Sequence, residues 1–543
     1  MSSDDELDLN EITPIPARTP LKAERDVIDL TDETPNATPY KAKAQWVQPS
    51  TPKAGASSMD QPEMILSPSP PIGNTLVGLN RRQMEEERLA RRKRKAPSED
   101  IPLPKLPRLN TTPAPPFAVT KAEPIKESTS SSMLRFADGE IRTTHVRMVP
   151  RQPTDITIEE IFDKDNLQEC VLSAFQWDIP WVLRKLGIGR TKLWFVMHAR
   201  ANEREHTEGV ISTIPNAKCI FPSVYGIINC MHSKLQLLFF DHFLRVVVPS
   251  ANLVPYDWGE TSAMENMVFI QDFLWVEKAP VSPFFTELCR FCRSANYPPA
   301  LLTKIAQYDM SSAKAQFVHS VGGAHTKSWD ETGLTSLARA VNALAPSLKD
   351  QTPQVDIITS SCGSLSDDFC GALYQACTGY TDLYNDFHRS RTDKNHTPRG
   401  VADYKQHMRV YFPSRDTVIN SLGGRESGGT VCFNPAYWKK DGFPRAIIKS
   451  LESVKPRTLM HSKAIYIRSP ECNLMYMGSA NMSESAWGKL VLDRQTKEAK
   501  LNVRNWECGV VLKVDGFGSL QRYKSHDNKP YPACGPWFFQ ELR

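Results

Sequence analysis

The tetrapeptide Met-His-Ser-Lys occurs twice, at 231–234 and 460–463, and the same markers follow each copy at the same distances. Asn252 and Asn481, each closing a Ser-Ala-Asn tripeptide, stand twenty residues after His232 and His461, and Trp258 and Trp487 follow six residues later. One His-x-Lys carries little information. Two copies with matched asparagine and tryptophan offsets imply two homologous halves. Each copy then reads as a buried strand, a turn and a second strand ending in a small-residue loop that opens a helix: LQLLFFD and LRVVVPSAN in the first, AIYIRS and NLMYMGSAN in the second. Histidine and lysine two apart on a strand share a face, and the asparagine falls at the end of the neighbouring strand. Packed about a pseudo-two-fold axis, the halves bring His232, Lys234, Asn252, His461, Lys463 and Asn481 to one cleft. The expected fold class is α/β, with two similar halves over 135–335 and 336–543. Each is a mixed β-sheet flanked by helices, with a tail over 1–134 in front.

Two lysines and two asparagines offer donors with no resident carboxylate in the set, which suits a phosphate whose charge grows on its equatorial oxygens during transfer. One histidine can attack phosphorus to give a phosphohistidine, and the other can protonate the leaving oxygen and then deprotonate water. A general acid or base role of this kind is worth about 10²–10⁴-fold. The carboxylate set of a two-metal hydrolase is missing, so the expected chemistry uses no metal and no cofactor. A third His-x-Lys, His325 to Lys327, lies in the Gly-rich stretch VGGAHTKSWDETG with no Ser-Ala-Asn twenty residues on, and reads as a structural turn. Cys289 and Cys292 form one CxxC without a second ligand pair nearby, so no zinc site is expected.

Composition divides the chain. Residues 1–130 hold 19 of the 41 prolines, one of the 11 tryptophans and none of the 12 cysteines, too little apolar surface to offset chain entropy, so this tail is expected to be disordered. Apolar runs such as LQLLFF at 235–240 are far shorter than the roughly 18–20 residues a membrane span needs, and the acidic start lacks a secretory core. Val27, Ile28, Asp29 and Leu30, flanked by Asp26 and Asp32, form a β-prone cluster suited to adding a strand to a partner's sheet edge. The segment 26–32 resembles a SUMO-interacting motif; an acidic tail with a chance aliphatic cluster is the other reading. Arg91, Arg92, Lys93, Arg94 and Lys95 read as a nuclear import signal or as a solvated charge run. Residues 131–543 carry 48 basic and 42 acidic groups, a mild excess that by itself decides nothing about partners.

The paired His-x-Lys motifs resemble those of the phospholipase D superfamily. Most members continue His-x-Lys with an aspartate five residues on, where this chain has Phe239 and Arg468. That departure, the Ser-Ala-Asn loops, SSCGS at 360–364 and VRNWECGVV at 503–511 resemble tyrosyl-DNA phosphodiesterases of fungal type, over about 135–543. The resemblance implies that His232 attacks the 3′-phosphate, that His461 protonates the departing tyrosine, and that Lys234, Lys463, Asn252 and Asn481 hold the phosphoryl oxygens. It implies Glu507 as the carboxylate orienting His461 and Glu265, in MENM, as the partner of His232. Ser361 and Ser483 match family positions that contact DNA phosphates, and Ile228 stands where the family has a base-stacking aromatic. The implied protein is a monomeric, metal-independent nuclear DNA repair enzyme. It acts on single-stranded or nicked-duplex 3′ ends that carry tyrosyl peptides or other blocking groups, and SUMO or sumoylated proteins are expected at 26–32. Two other readings stay open: another phospholipase D-type nuclease or phosphodiesterase, and an inactive DNA-end-binding scaffold.

Overall fold

The computed structural model describes residues 134–542 apart from 225, 229, 494 and 525–529. The expectations for the disordered tail, for the SUMO-like segment and for the basic run at 91–95 lie outside the described residues.

Two large mixed sheets carry the fold. The first has eight strands, in the order Asp155–Ile156, Glu140–Thr144, Met267–Leu274, Phe243–Pro249, Gln236–Phe239, Glu169–Ser173, Lys192–Val196 and Ala217–Ile220. The second runs Gln316–Ser320, Asn505–Val514, Asn473–Gly478, Ala464–Arg468, Gln354–Ile358, Met408–Phe412 and Ile448–Ser450, with Cys230–Met231 paired onto the start of its long strand. The two expected hairpins occupy equivalent places. Gln236–Phe239 with Phe243–Pro249, and Ala464–Arg468 with Asn473–Gly478, each stand between an antiparallel outer strand and the strand where parallel pairing begins.

Alternation along these strands explains the layering. Leu237, Phe239, Val246 and Val248 share a core cluster with Ala464, Tyr466, Met475 and Met477, so the two sheets pack face to face. Their neighbours Leu238 and Val247 turn to the other side, against Ile158, Phe162, Trp181 and Val182 of the helices Ile158–Phe162 and Ile179–Lys185. Ile465, Ile467, Leu474 and Tyr476 turn outward against the helices Leu334–Leu344 and Asp367–Cys377. Strands buried on both faces need near-continuous apolar runs, which is how LQLLFF reads. Each such fully buried Leu, Val, Ile or Phe contributes about 1.5–3 kcal/mol.

One boundary differs from the expectation. Gln316–Ser320 pairs antiparallel with Asn505–Val514, so it belongs to the second sheet although it precedes residue 335. The passage between sheets falls between Leu274 and Gln316, across the helices Pro283–Ser294 and Pro299–Ile305. Cys289 and Cys292 lie on the first of these helices, three residues apart on its buried face, and burial pushes the Cys289 thiol up to about 12. They are core residues.

Candidate active site

Each histidine enters the site from a two-residue strand that pairs with the other half of the chain. Cys230–Met231 runs parallel to Asn505–Trp506, and the His232 N–H donates to the Trp506 carbonyl at 3.0 Å. Leu459–Met460 runs parallel to Met264–Glu265, and the His461 N–H donates to the Glu265 carbonyl, also at 3.0 Å. The Ser-Ala-Asn loops are tied down in matching fashion. The Ser250 hydroxyl donates to Asn266 Oδ1 at 2.8 Å and accepts from Met267 N at 3.0 Å; the Ser479 hydroxyl donates to Glu507 Oε2 at 2.6 Å and accepts from Cys508 N at 3.0 Å. The internal two-fold therefore sets Asn266 opposite Glu507. Gly478 and Gly509 face each other across the ladder; a Cβ on Gly509 would come within 2.2 Å of the Tyr476 ring beneath the second loop.

The carboxylates are distributed otherwise than the resemblance implied. Glu507 Oε2 lies 2.8 Å from Nδ1 of His232, not against His461, because the strand that carries it is the one paired with the segment leading into His232. His461 Nδ1 faces Asp257 Oδ2 at 3.2 Å, and the same oxygen accepts the Asn252 N–H at 2.6 Å. Glu265 does not reach His232. Its carboxylate is buried among Ser453, Lys455 and Arg522, and Lys455 also bonds Asp155 at 2.9 Å. Glu265 serves the site through its carbonyl, which holds the His461 backbone. The polar set is thus two His–carboxylate pairs, as expected in number, but with Glu507 on His232 instead of His461 and Asp257 in the place expected of a glutamate.

Burial sets the charge states. His232 and His461 are 4% and 2% exposed, and both lysines are wholly buried. Lys234 donates to the His232 carbonyl at 2.8 Å, and burial pushes its ammonium down to about 8. Lys463 donates to the His461 carbonyl. Burial pushes His461 down to about 4, against the pull of Asp257, with Lys463 and Lys234 pushing the same way. Burial also pushes Asp257 up but is outweighed by His461, Lys463 and the Asn252 N–H, so its carboxyl sits below the usual range. Glu507 is raised by burial to about 7, against the pull of Lys234, Ser479, Asn505 and Lys463. Lysines from both halves therefore act on one carboxylate. At neutral pH His461 is a neutral imidazole, while His232 Nδ1 and Glu507 are joined by their hydrogen bond.

A family model described as tyrosyl-DNA phosphodiesterase matches residues 140–533. The chain belongs to the tyrosyl-DNA phosphodiesterase family, within the phospholipase D superfamily. Tyrosyl-DNA phosphodiesterase 1 of Arabidopsis thaliana is 23% identical over 388 residues, covering 66% of this chain and 58% of that protein. A probable tyrosyl-DNA phosphodiesterase of Caenorhabditis elegans is 24% identical over 294 residues, covering 52% of this chain and 62% of that protein. The chain thus spans 58% and 62% of the length of these curated relatives. The crystal structure of a mutant yeast tyrosyl-DNA phosphodiesterase superposes with a TM-score of 0.50 at 17% identity, over 71% of this chain and 92% of that one, which shows a shared fold.

In this family member the asparagines are oriented through their oxygens. Asn252 Oδ1 accepts from the N–H groups of Phe175 and Gln176 at 3.3 and 3.2 Å, and Asn481 Oδ1 accepts from Thr359 and Ser360 hydroxyls at 3.1 and 3.2 Å. Asn252 Nδ2 donates one proton to Gln176 Oε1 at 3.4 Å, so its second N–H and the Nδ2 group of Asn481 are the donors that can meet a ligand. Ser361 and Ser483 lie on adjoining loops: Gly363 N donates to the Met482 carbonyl, and a Cβ on Gly363 would come within 2.8 Å of Ser483 Cβ. Ser483 Oγ accepts from Ala486 N at 3.2 Å. The two superfamily aspartate positions are structural here. Arg468 pairs with Asp356 and Tyr523, while Phe239 packs on Tyr308 and under Lys304. Ile228 is buried against Gly322 and offers no stacking face. His325 ends the short strand Gly323–His325, which pairs antiparallel with Ala499–Val503 where a turn was expected, and it bonds Val321 O at 2.8 Å and Ser328 at 3.3 Å.

Asp257, Phe175 and Asn505 escaped the sequence reading. The Phe175 ring, half-buried, lies 5.1 Å from the His232 ring. For Asp257 a signal exists: it precedes the repeat tryptophan Trp258, where the second copy has Ala486 before Trp487.

Proposed function

We propose that this chain hydrolyses phosphodiesters at DNA 3′ ends, releasing tyrosine or tyrosyl peptide and leaving a 3′-phosphate through a phosphohistidine. The observation that carries the reading is the doubled His–Lys–Asn set with one carboxylate on Nδ1 of each histidine. A phosphodiester anion lying between Lys234 and Lys463, with the Nδ2 groups of Asn252 and Asn481 on its oxygens, meets the donors that oppose its growing charge. Nε2 of His232 attacks phosphorus, because Nδ1 is engaged by Glu507, which supports the positive charge the ring gains. The P–O bond to tyrosine breaks as His461 gives its proton to the phenolate oxygen. His461 is neutral at rest; the entering phosphate anion favours its protonated form against the burial that lowered it. After tyrosine leaves, neutral His461 takes a proton from water, the hydroxide adds to phosphorus, and His232 departs.

Positioning and electrostatics supply the rate in this scheme, with neither a metal nor an organic cofactor. Ser361 and Ser483 take the next phosphates along the strand, where a hydroxyl and backbone N–H groups fix register without reading sequence. One chain supplies both His-x-Lys sets from its two phospholipase D-like halves, so the working unit is a monomer. We assign the protein to the nucleus, with Arg91–Lys95 as its import signal and residues 26–32 as a SUMO contact. Among the described residues no helix is long and apolar enough to cross a membrane.

A substrate panel in EDTA tests this reading: a 3′-phosphotyrosyl oligonucleotide, the same oligonucleotide with an unblocked 3′ end, and a phosphatidylcholine vesicle. Tyrosine release with a 3′-phosphate product is expected from the first alone. Headgroup release, or internal cleavage of the unblocked strand, would move the assignment to another phospholipase D-type activity. Tight 3′-end binding without release would make the protein a scaffold, and activity lost only in EDTA would overturn the metal-free route.

A further inference from the structure

We propose that Asn505 is a positioning residue for the His232–Glu507 pair, aiming the carboxylate through its side-chain amide while the thiol of Cys230 fixes which way that amide faces. The inference rests on the function proposed above and concerns the same site. Glu507 is 1% exposed and has two oxygens to satisfy. Oε2 takes the Ser479 hydroxyl at 2.6 Å and His232 Nδ1 at 2.8 Å; Oε1 takes Asn505 Nδ2 at 3.0 Å. A buried carboxylate oxygen that loses its donor is costly to keep charged, and the carboxylate is then free to rotate away from the ring.

The backbone places Asn505 for this task. Residues 505 and 507 are two apart on the strand Asn505–Val514, so their side chains share a face. Asn505 stands directly opposite Cys230 in the parallel register, and Trp506 opposite Met231, one residue before His232. The Cys230 thiol donates to Asn505 Oδ1 at 3.4 Å. An amide has a donor end and an acceptor end, and the thiol proton occupies the acceptor end. Nδ2 must then face Glu507; reversing the amide would set its oxygen against the carboxylate. Cys230, Asn505, Glu507 and His232 thus form one chain of hydrogen bonds from the half-buried rim of the short strand to the imidazole. The internal two-fold makes this brace one-sided. Its counterpart Asn266 is itself an amide, which takes the Ser250 hydroxyl and donates to the Asp257 carbonyl at 2.8 Å.

The charged groups facing Glu507 are Lys234 and Lys463, with His232 in contact and the buried Tyr476 hydroxyl and Cys508 thiol, both held neutral by burial, also near it. An N–H donor on Oε1 favours the ionised carboxylate, so removing it makes the pair take up its proton at higher pH. The reactive form is the neutral imidazole beside an ionised carboxylate, so the acid limb of the kcat/KM profile moves upward. An aspartate at 505 puts a second carboxylate at about 3 Å and moves the limb further in the same direction, at nearly unchanged side-chain volume.

The test uses the full chain with Asn505→Ala, Asn505→Asp and Cys230→Ser. Turnover of the 3′-phosphotyrosyl oligonucleotide is followed across pH, and the His232 imidazole is titrated by NMR without substrate. For Asn505→Ala the acid limb and the imidazole titration both rise by about one pH unit, a tenfold change in proton affinity, with kcat reduced and KM little changed. Asn505→Asp shifts both further, and Cys230→Ser, which keeps a donor, leaves them near the parent values. Parent-like profiles and titrations in both Asn505 variants would overturn the proposal even if their folded fraction falls. A parent that shows no turnover would defeat the functional reading instead, while the NMR titration still decides the role of Asn505.

Discussion

Alanine in place of His232 lowers tyrosine release from a 3′-phosphotyrosyl oligonucleotide by on the order of 10⁴–10⁶-fold, as expected when the group that forms the covalent bond is removed from a set acting as a unit. Binding of the 3′ end persists, because Lys234, Lys463, Asn252 and Asn481 keep their own partners: each lysine bonds its histidine's carbonyl, and each asparagine is held through Oδ1. Rapid-quench single-turnover kinetics and end binding, measured side by side, separate the two effects. A His232→Ala protein that cleaves within tenfold of the parent rate would require another nucleophile, water included.

The second large effect is expected at Asp257, a residue absent from the sequence-derived set. Asp257→Asn lowers tyrosine release by about 10²–10⁴-fold, the range lost when a general acid is disabled or its ring is held in the wrong tautomer. Burial, Lys463 and Lys234 all disfavour the His461 imidazolium, and Asp257 is the group that opposes them. Without that carboxylate the protonated ring becomes less accessible still. The loss depends on the leaving group. A 3′-(4-nitrophenyl) phosphodiester needs no proton on its departing oxygen, so the variant gives a burst of nitrophenolate, followed by slow turnover while the phosphohistidine waits for a base. Equal losses on tyrosyl and nitrophenyl substrates would instead mean that Asp257 only holds the loop, through its bond to Asn252 N.

The six repeat residues were legible because their spacing recurs: the stretch from histidine to asparagine, a hairpin ending in a small-residue loop, is twenty residues in both copies. That LQLLFF and NLMYMG lie in buried strands was legible from their apolar runs, whereas the packing of one sheet directly on the other was not, the expectation being sheets flanked by helices. The pairing of carboxylates with histidines was not legible: the resemblance pointed to Glu507 but set it on His461. Glu507 is 275 positions from His232, and it reaches that ring because a two-residue strand of one half pairs with the other half, a contact that leaves no periodic signature. Glu265 has the right residue type and the right neighbourhood, yet alternation turns its side chain toward Lys455 and Arg522 while its carbonyl faces His461. Asp257 could have been found by laying the copies side by side, where it stands against Ala486. The twofold counterpart of Glu507 could not, because Asn266 is 14 residues after Asn252 whereas Glu507 is 26 after Asn481.

The covalent histidine is the central claim, and intact-protein mass spectrometry of His461→Ala tests it most directly. The variant is mixed with a short 3′-phosphotyrosyl oligonucleotide and quenched at alkaline pH, where a phosphoramidate survives. The account predicts a species heavier than the protein by the oligonucleotide 3′-phosphoryl group, accumulating to near one per chain, lost on mild acid treatment and mapped by proteolysis to His232. Tyrosine release by this variant with no adduct at any time, or an adduct on a residue other than His232, would contradict it.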